Sequence, residues 1–96
     1  MSYHLIIRKR AEGHLAEAYE WYEMQKPALG SEFLLCVEAS LAAIETNPLV
    51  FQPRHKQIRC ALTPRFPYGI FYFVNENKVI IVALFHLSRN PKLWKK

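Results

Sequence analysis

Two apolar segments in the second half of the chain constrain the fold more than any other feature of this sequence. YGIFYFV (68–74) and KVIIVALFH (78–86) are apolar at almost every position, and the short segment NEN (75–77) joins them. Segments that are apolar on both alternating faces are typical of interior strands, and Asn-containing connections of this length favour tight turns. The sequence therefore predicts a hairpin of two central strands.

Two further strands are predicted outside this hairpin. YHLIIR (3–8) is rich in β-branched and aromatic residues, and IRCALT (58–63) alternates, with Ile58, Cys60 and Leu62 on one side and Arg59 on the other. Both patterns are typical of strands. Prolines at 64 and 67 separate the alternating strand from the central hairpin.

Between these strands the apolar period becomes helical. From Ala11 to about Gln25 apolar residues recur at intervals of three and four, and Pro27 ends this helix. A second helix begins near Gly30 or Ser31, with Ser31 as a candidate N-cap, and ends before Asn-Pro at 47–48. The predicted core face of the two helices consists of Leu15, Tyr19, Tyr22, Phe33, Val37, Leu41 and Ile44.

The order of elements is strand, two helices, three strands. It predicts an α+β fold of the order β-α-α-β-β-β, with a helix hairpin packed on one face of an antiparallel sheet. Residues 1–96 are the right length for a single domain. We expect the other sheet face to be uncovered and to carry Arg59, Phe71 and Phe73, as a binding surface would.

The two halves of the chain differ in charge. Residues 1–47 carry four Lys or Arg against seven Glu, a net charge of −3, whereas residues 48–96 carry nine against one, a net charge of +8. This asymmetry favours an acidic protein or a polyanion as partner. No apolar run approaches the roughly 18 residues of a membrane span, and the first charges follow an apolar stretch, so we expect a soluble cytoplasmic protein that does not bind membranes.

The side chains suited to chemistry are few. The four histidines lack ligand spacing and the second half holds Glu76 alone as an acid, so we expect neither a metal nor a cofactor. His86 remains, with arginines that could orient a phosphate while the histidine moves a proton. This pattern is compatible with metal-independent RNA cleavage, with His86, Arg59 and Arg65 as the catalytic set. The alternative is that His86 is a hydrogen-bonded surface residue and that Arg89 anchors the tail.

Several stretches, in their order and spacing, carry a resemblance to a known family. They are AEGHLAEAYEWYEMQKPALGSEFL, IETNPLVFQP, IRCALTPRFPYGIFYFV and VALFHLSRNPKLW. Together they resemble the RelE/ParE superfamily, the toxins of bacterial type II toxin–antitoxin modules, and within it the plasmid-stabilisation, ParE-like branch. His14 departs from relatives, which often have an aspartate there, and we expect this change to affect capping or solubility.

The resemblance implies a toxin with a cognate antitoxin, acidic or amphipathic, as its partner. RelE-like members cleave messenger RNA on the ribosome and ParE-like members poison DNA gyrase. Of these, RNA cleavage is the expected function, with gyrase inhibition without catalysis or a non-toxic binding module as alternatives. A homodimer through the uncovered sheet without antitoxin is a further hypothesis. The expected RNA- or partner-binding residues are Arg54, Lys56, Phe71, Phe73, Arg89, Lys92, Lys95 and Lys96.

Overall fold

The computed structural model describes residues 3–89, and the predicted binding residues Lys92, Lys95 and Lys96 lie outside this range. The elements in chain order are β1 (His4–Ile7), α1 (Lys9–Gln25), α2 (Leu29–Thr46), a 3-10 turn (Pro48–Val50), β2 (Pro53–His55), β3 (Ile58–Leu62), β4 (Tyr68–Asn75) and β5 (Lys78–His86). The predicted α+β class and element order are confirmed, with the short strand β2 as an addition. In this part of the chain, neither helix is both long and apolar enough to cross a membrane.

The five strands form one sheet in the order β1-β5-β4-β3-β2. β1 runs parallel to β5, whereas the other pairs are antiparallel, so the sheet is mixed and the prediction of an antiparallel sheet is wrong for this pair. Tight turns can join only antiparallel neighbours. The turn signals of the sequence therefore define the hairpins, but not the pairing of two strands that are far apart in the chain.

The connection between the helices is held by a side chain of α1. The Glu23 carboxylate accepts hydrogen bonds from the backbone N–H groups of Ala28 and Gly30, both at 2.9 Å. Ala28, at φ 72°, is the residue that precedes α2, so the predicted N-cap role of Ser31 is wrong. A Cβ at Gly30 would lie 2.8 Å from the Tyr19 carbonyl oxygen, which explains a glycine where the helices approach.

The helix hairpin buries one face of the sheet in the main core. Phe33, Ile44 and Ile70 are completely buried there. An aromatic cluster joins α1 and α2 to the β3–β4 corner, with the Tyr22 and Phe33 rings 4.8 and 5.2 Å from the Phe66 ring. Tyr68 belongs to the same cluster, and its ring lies 5.0 Å from the Phe33 ring. The start of β4 is therefore fixed firmly against both helices.

The second sheet face has a small core of its own. Phe71 is only 5% exposed and packs in a cluster with Cys60, Ala83 and Phe85. The Arg10 guanidinium, from the start of α1, lies 5.7 Å from the centre of the Phe85 ring. The expectation of an uncovered face is therefore wrong at Phe71, because β4 and β5 are apolar on both sides and both sides are packed.

Candidate functional site

His86 ends β5 and its imidazole closes the turn that follows. Nδ1 accepts hydrogen bonds from the backbone N–H groups of Ser88, at 3.1 Å, and Arg89, at 2.9 Å. An acceptor nitrogen carries no proton, so Nε2 is the protonated nitrogen of the neutral ring. Burial and the nearby Arg89 charge both lower the pKa of His86. The imidazole is therefore neutral at physiological pH and acts as an acceptor for the backbone.

Arg89 connects the end of the sheet to the first helix. Its guanidinium donates a hydrogen bond to the Tyr68 hydroxyl at 2.7 Å and lies 4.5 Å from the centre of the Trp21 ring. Tyr68 is the cross-strand neighbour of His86, and the two rings are 5.2 Å apart. Burial raises the pKa of Tyr68, although the Arg89 charge opposes this effect, so its hydroxyl stays protonated.

A second histidine meets the same strand from α1. Nδ1 of His14 accepts a hydrogen bond from the backbone N–H of Leu84 at 3.2 Å, and its ring lies 4.9 Å from the Phe85 ring. Burial and the charge of Arg10 lower the pKa of His14, while Glu17 opposes them. His14 is thus a second neutral imidazole that accepts a hydrogen bond from a backbone N–H group. This contact with β5 differs from the effect on capping or solubility that the sequence predicted.

These groups surround a concave space of about 390 Å³. We call it the His14–His86 pocket, and its lining residues are His14, Glu17, Ala18, Trp21, Tyr68, Leu84, Phe85, His86 and Arg89. His14, Ala18 and Trp21 lie on one stripe of α1, at spacings of four and three. That stripe is visible in the sequence. What the sequence could not reveal is that it faces the end of β5.

Arg59 lies away from this pocket. Its cross-strand neighbour is Tyr72, which belongs to the main core, so Arg59 lies on the helix side of the sheet and not on the second face as predicted. The Arg59 guanidinium donates hydrogen bonds to the carbonyl oxygens of Phe51 and of Leu49, the latter at 3.3 Å. The prediction failed because both faces of β3 are packed, and alternation alone does not identify the helix side.

Arg65 is placed differently again. Its side chain is 60% exposed and forms an ion pair at 2.8 Å with Glu32 of α2. This pair raises the pKa of Arg65, chiefly through the hydrogen bond. Arg54 and Lys56 are exposed in and after β2, and Phe73 is half-buried beneath the Arg8 guanidinium at 5.5 Å. Of the predicted site residues that lie within 3–89, the pocket unites His86 and Arg89 and no others.

This arrangement is poorly suited to proton transfer by His86. To act as a base through Nδ1, the ring would have to give up two backbone hydrogen bonds, and Nε2 already carries the proton. Neither Arg59 nor Arg65 lines the His14–His86 pocket. Within residues 3–89, no three His, Cys, Asp or Glu side chains come together as a candidate metal site.

Solved structures share this fold at low sequence identity. A structure of the chromosomal ParDE toxin–antitoxin system from P. aeruginosa matches with a TM-score of 0.78 at 14% identity, covering 88% of this chain and 95% of that one. The toxin–antitoxin complex RelBE2 from Mycobacterium tuberculosis matches with a TM-score of 0.62 at 17% identity, covering 90% and 99%. The chain therefore shares its fold with chains from two toxin–antitoxin systems.

A comparison of the sequence with family models identifies the family. The sequence model described as the ParE toxin of the type II toxin–antitoxin system parDE matches residues 5–91. The chain belongs to the ParE toxin family, and its resemblance to the RelE/ParE superfamily is confirmed. A comparison with curated protein sequences gave no match.

Proposed function

We propose that this ParE-family toxin arrests growth by binding DNA gyrase, without catalysing a reaction, and that a cognate antitoxin neutralises it. Gyrase inhibition is the activity that the ParE-like resemblance implies, and the family match covers residues 5–91. We propose that the toxin acts in the cytoplasm.

The hydrogen bonding of His86 is the observation that carries this choice over RNA cleavage. The N–H groups of Ser88 and Arg89, in the turn after β5, both donate to its Nδ1, so the ring stabilises this turn. Arg59 is likewise occupied by carbonyl groups, and Arg65 by a carboxylate of α2. A set that is divided among three structural roles lacks the mutual geometry that acid–base catalysis needs.

The charge distribution supports a protein partner. The net charge of +5 arises from the second half of the chain, where exposed Arg54 and Lys56 contribute. Oppositely charged surfaces speed association and select partners. One structure with this fold is described as the toxin–antitoxin complex RelBE2 and another as a ParDE toxin–antitoxin system, which supports an antitoxin as one partner of this chain.

The test measures DNA supercoiling by gyrase and cleavage of messenger RNA in parallel. Purified toxin is added to gyrase with relaxed plasmid and ATP, and separately to a cell-free translation reaction in which messenger 5′ ends are mapped. We expect loss of supercoiling, in proportion to the toxin bound per gyrase, with intact message. New 5′ ends that require ribosomes, together with normal supercoiling, would contradict the proposal and favour RNA cleavage. Normal supercoiling with intact message would favour a non-toxic binding module.

A further inference from the structure

The His14–His86 pocket is rich in hydrogen-bond donors. Nδ1 of each histidine accepts a backbone N–H, so each neutral ring carries its proton on Nε2. The Tyr68 hydroxyl accepts from Arg89 and keeps its own proton to donate. That hydrogen bond uses one of the five N–H donors of the guanidinium. Four donor groups thus border one concave space, a pattern that suits an acceptor with two oxygens.

The orientation of Arg89 is fixed from two sides. Its guanidinium lies over the Trp21 ring at 4.5 Å and bonds to the Tyr68 hydroxyl at 2.7 Å, so a helix and a strand both hold it. A planar guanidinium matches a carboxylate through two parallel N–H···O bonds. Because the group is already oriented, binding a carboxylate would cost little additional side-chain entropy.

The charge of the pocket favours a single negative charge over a polyanion. Among the lining residues in the described part of the chain, Arg89 is positive, Glu17 is negative and both imidazoles are neutral. A phosphate near neutral pH carries up to two negative charges, and a nucleic acid brings its neighbours as well. Arg89, with Glu17 beside it, cannot balance the charge of a phosphate group or a nucleic acid. It can form an ion pair with a single carboxylate.

The walls of the pocket suit a side chain with an apolar stem. Trp21, Leu84 and Phe85 line it together with the polar groups. The fold creates this space because β1 stops pairing with β5 at Ile7 and Ile81, so α1 lies beside the remainder of β5. The methylene groups of an acidic side chain can pack on such walls while its oxygens meet the donors.

We propose that the His14–His86 pocket binds the carboxylate of an Asp or Glu side chain carried by the antitoxin. The net charge of +5 on the toxin is complementary to an acidic partner. This inference rests on the antitoxin partner in the proposed function and does not depend on the gyrase target. The pocket is a specificity element, in which Arg89 pairs with the carboxylate and Glu17 excludes stronger anions.

The test uses a minimal probe on the full chain. The blocked peptide acetyl-Leu-Glu-Leu-amide is titrated into the ¹⁵N-labelled toxin, and NMR follows the imidazole signals of His14 and His86 and the indole signal of Trp21. We expect saturable shifts of all three, with the matched peptide acetyl-Leu-Gln-Leu-amide binding about tenfold more weakly because it lacks the charge. Inorganic phosphate should bind no more tightly than the glutamate peptide.

Three variants with opposite expectations make the result independent of folding defects. Arg89→Gln should weaken the glutamate peptide about tenfold, because the charged donor is lost. Glu17→Gln should tighten it about threefold, because an exposed like charge is removed, and unfolding cannot produce tighter binding. Lys78→Gln makes the same change in net charge as Arg89→Gln at the opposite end of β5, and should leave binding unchanged.

Other outcomes would overturn the proposal. They are equal binding of the glutamate and glutamine peptides, tighter binding of phosphate, weaker binding to Glu17→Gln, or no saturable shift at the three reporter side chains. These titrations contain no gyrase. Failure of the supercoiling assay would therefore refute the gyrase target and leave the carboxylate site standing, and the reverse also holds.

Discussion

Two arginine–tyrosine pairs lie in different corners of this toxin and have different consequences. At β3 and β4, Tyr72 is completely buried and donates to the Pro48 carbonyl, and Arg59 donates to two carbonyl groups nearby. At the end of β5, the Arg89 guanidinium donates to the Tyr68 hydroxyl beside an open space of about 390 Å³. We call these the Arg59 corner and the Arg89 corner.

The difference lies in how much hydrogen-bonding capacity remains. In the Arg59 corner the polar groups are paired with backbone carbonyls, in a buried place at Tyr72 and a partly exposed one at Arg59, and burial raises the pKa of Tyr72 to about 12. In the Arg89 corner each histidine uses one ring nitrogen, Nδ1, toward the described part of the chain, and Arg89 is an exposed residue. The same residue types therefore stabilise the fold in one corner and leave donors for a partner in the other.

The largest expected difference in stability is between variants of the two tyrosines. Tyr72→Phe should lower the free energy of unfolding by about 2 kcal/mol, because the Pro48 carbonyl loses its partner in a buried place. Tyr68→Phe should cost less than about 1 kcal/mol, because water can replace the tyrosine hydroxyl as the partner of the exposed Arg89. Urea unfolding of both variants measures this, and equal losses would remove the distinction between the corners.

The arginines give a smaller contrast. Arg59→Gln should lower the free energy of unfolding by about 1 kcal/mol, since the guanidinium bonds to the Phe51 and Leu49 carbonyls are lost. Arg65→Gln, which removes the same charge from an exposed ion pair with Glu32, is the matched control. We expect an unchanged melting temperature for this control. A larger loss of stability from Arg65→Gln than from Arg59→Gln would contradict a structural role for Arg59.

The smallest expected effect is a pH dependence that originates in the Arg89 corner. Folding lowers the pKa of His14 and His86 below the ordinary value of 6.5, so the unfolded chain binds protons more readily. The contribution of the two histidines to the free energy of unfolding should therefore be complete above about pH 6.5. It should decrease as the pH is lowered below that value.

The variant His14→Asn isolates one of the two contributions. Its side-chain oxygen can accept the Leu84 N–H in place of Nδ1, and it does not titrate. Urea unfolding between about pH 5 and 8 should give a shallower slope for this variant than for the natural chain, with His86 providing the rest. Identical slopes, or stability that rises on acidification, would show that His14 is not a neutral acceptor.

Most of the fold follows from local patterns. Apolar runs, helical spacing and turn residues identified both helices and four of the five strands, because each of these signals is local. The parallel pairing of β1 with β5 and the second core around Phe71 depend on contacts between distant segments. The role of Glu23 in holding Ala28 and Gly30 depends on the approach of the two helices, which no local pattern of the sequence indicates.

The site was predicted less completely, for a related reason. His86 and Arg89 are three residues apart in the chain, and the structure brings them together at the pocket. His14 and Trp21 belong to the pocket but are distant in sequence, and only the packing of α1 against β5 reveals their role. Arg59 was assigned to the wrong face because the alternation of β3 does not distinguish two packed faces.

The central claim is that His86 supports the fold and that toxicity arises from binding. Its most direct test is growth arrest by His86→Asn, expressed without antitoxin at the level of the natural chain. The asparagine oxygen can accept the Ser88 and Arg89 N–H groups but cannot replace an imidazole in proton transfer. We predict an undiminished arrest. A folded His86→Asn protein that no longer arrests growth would contradict the account.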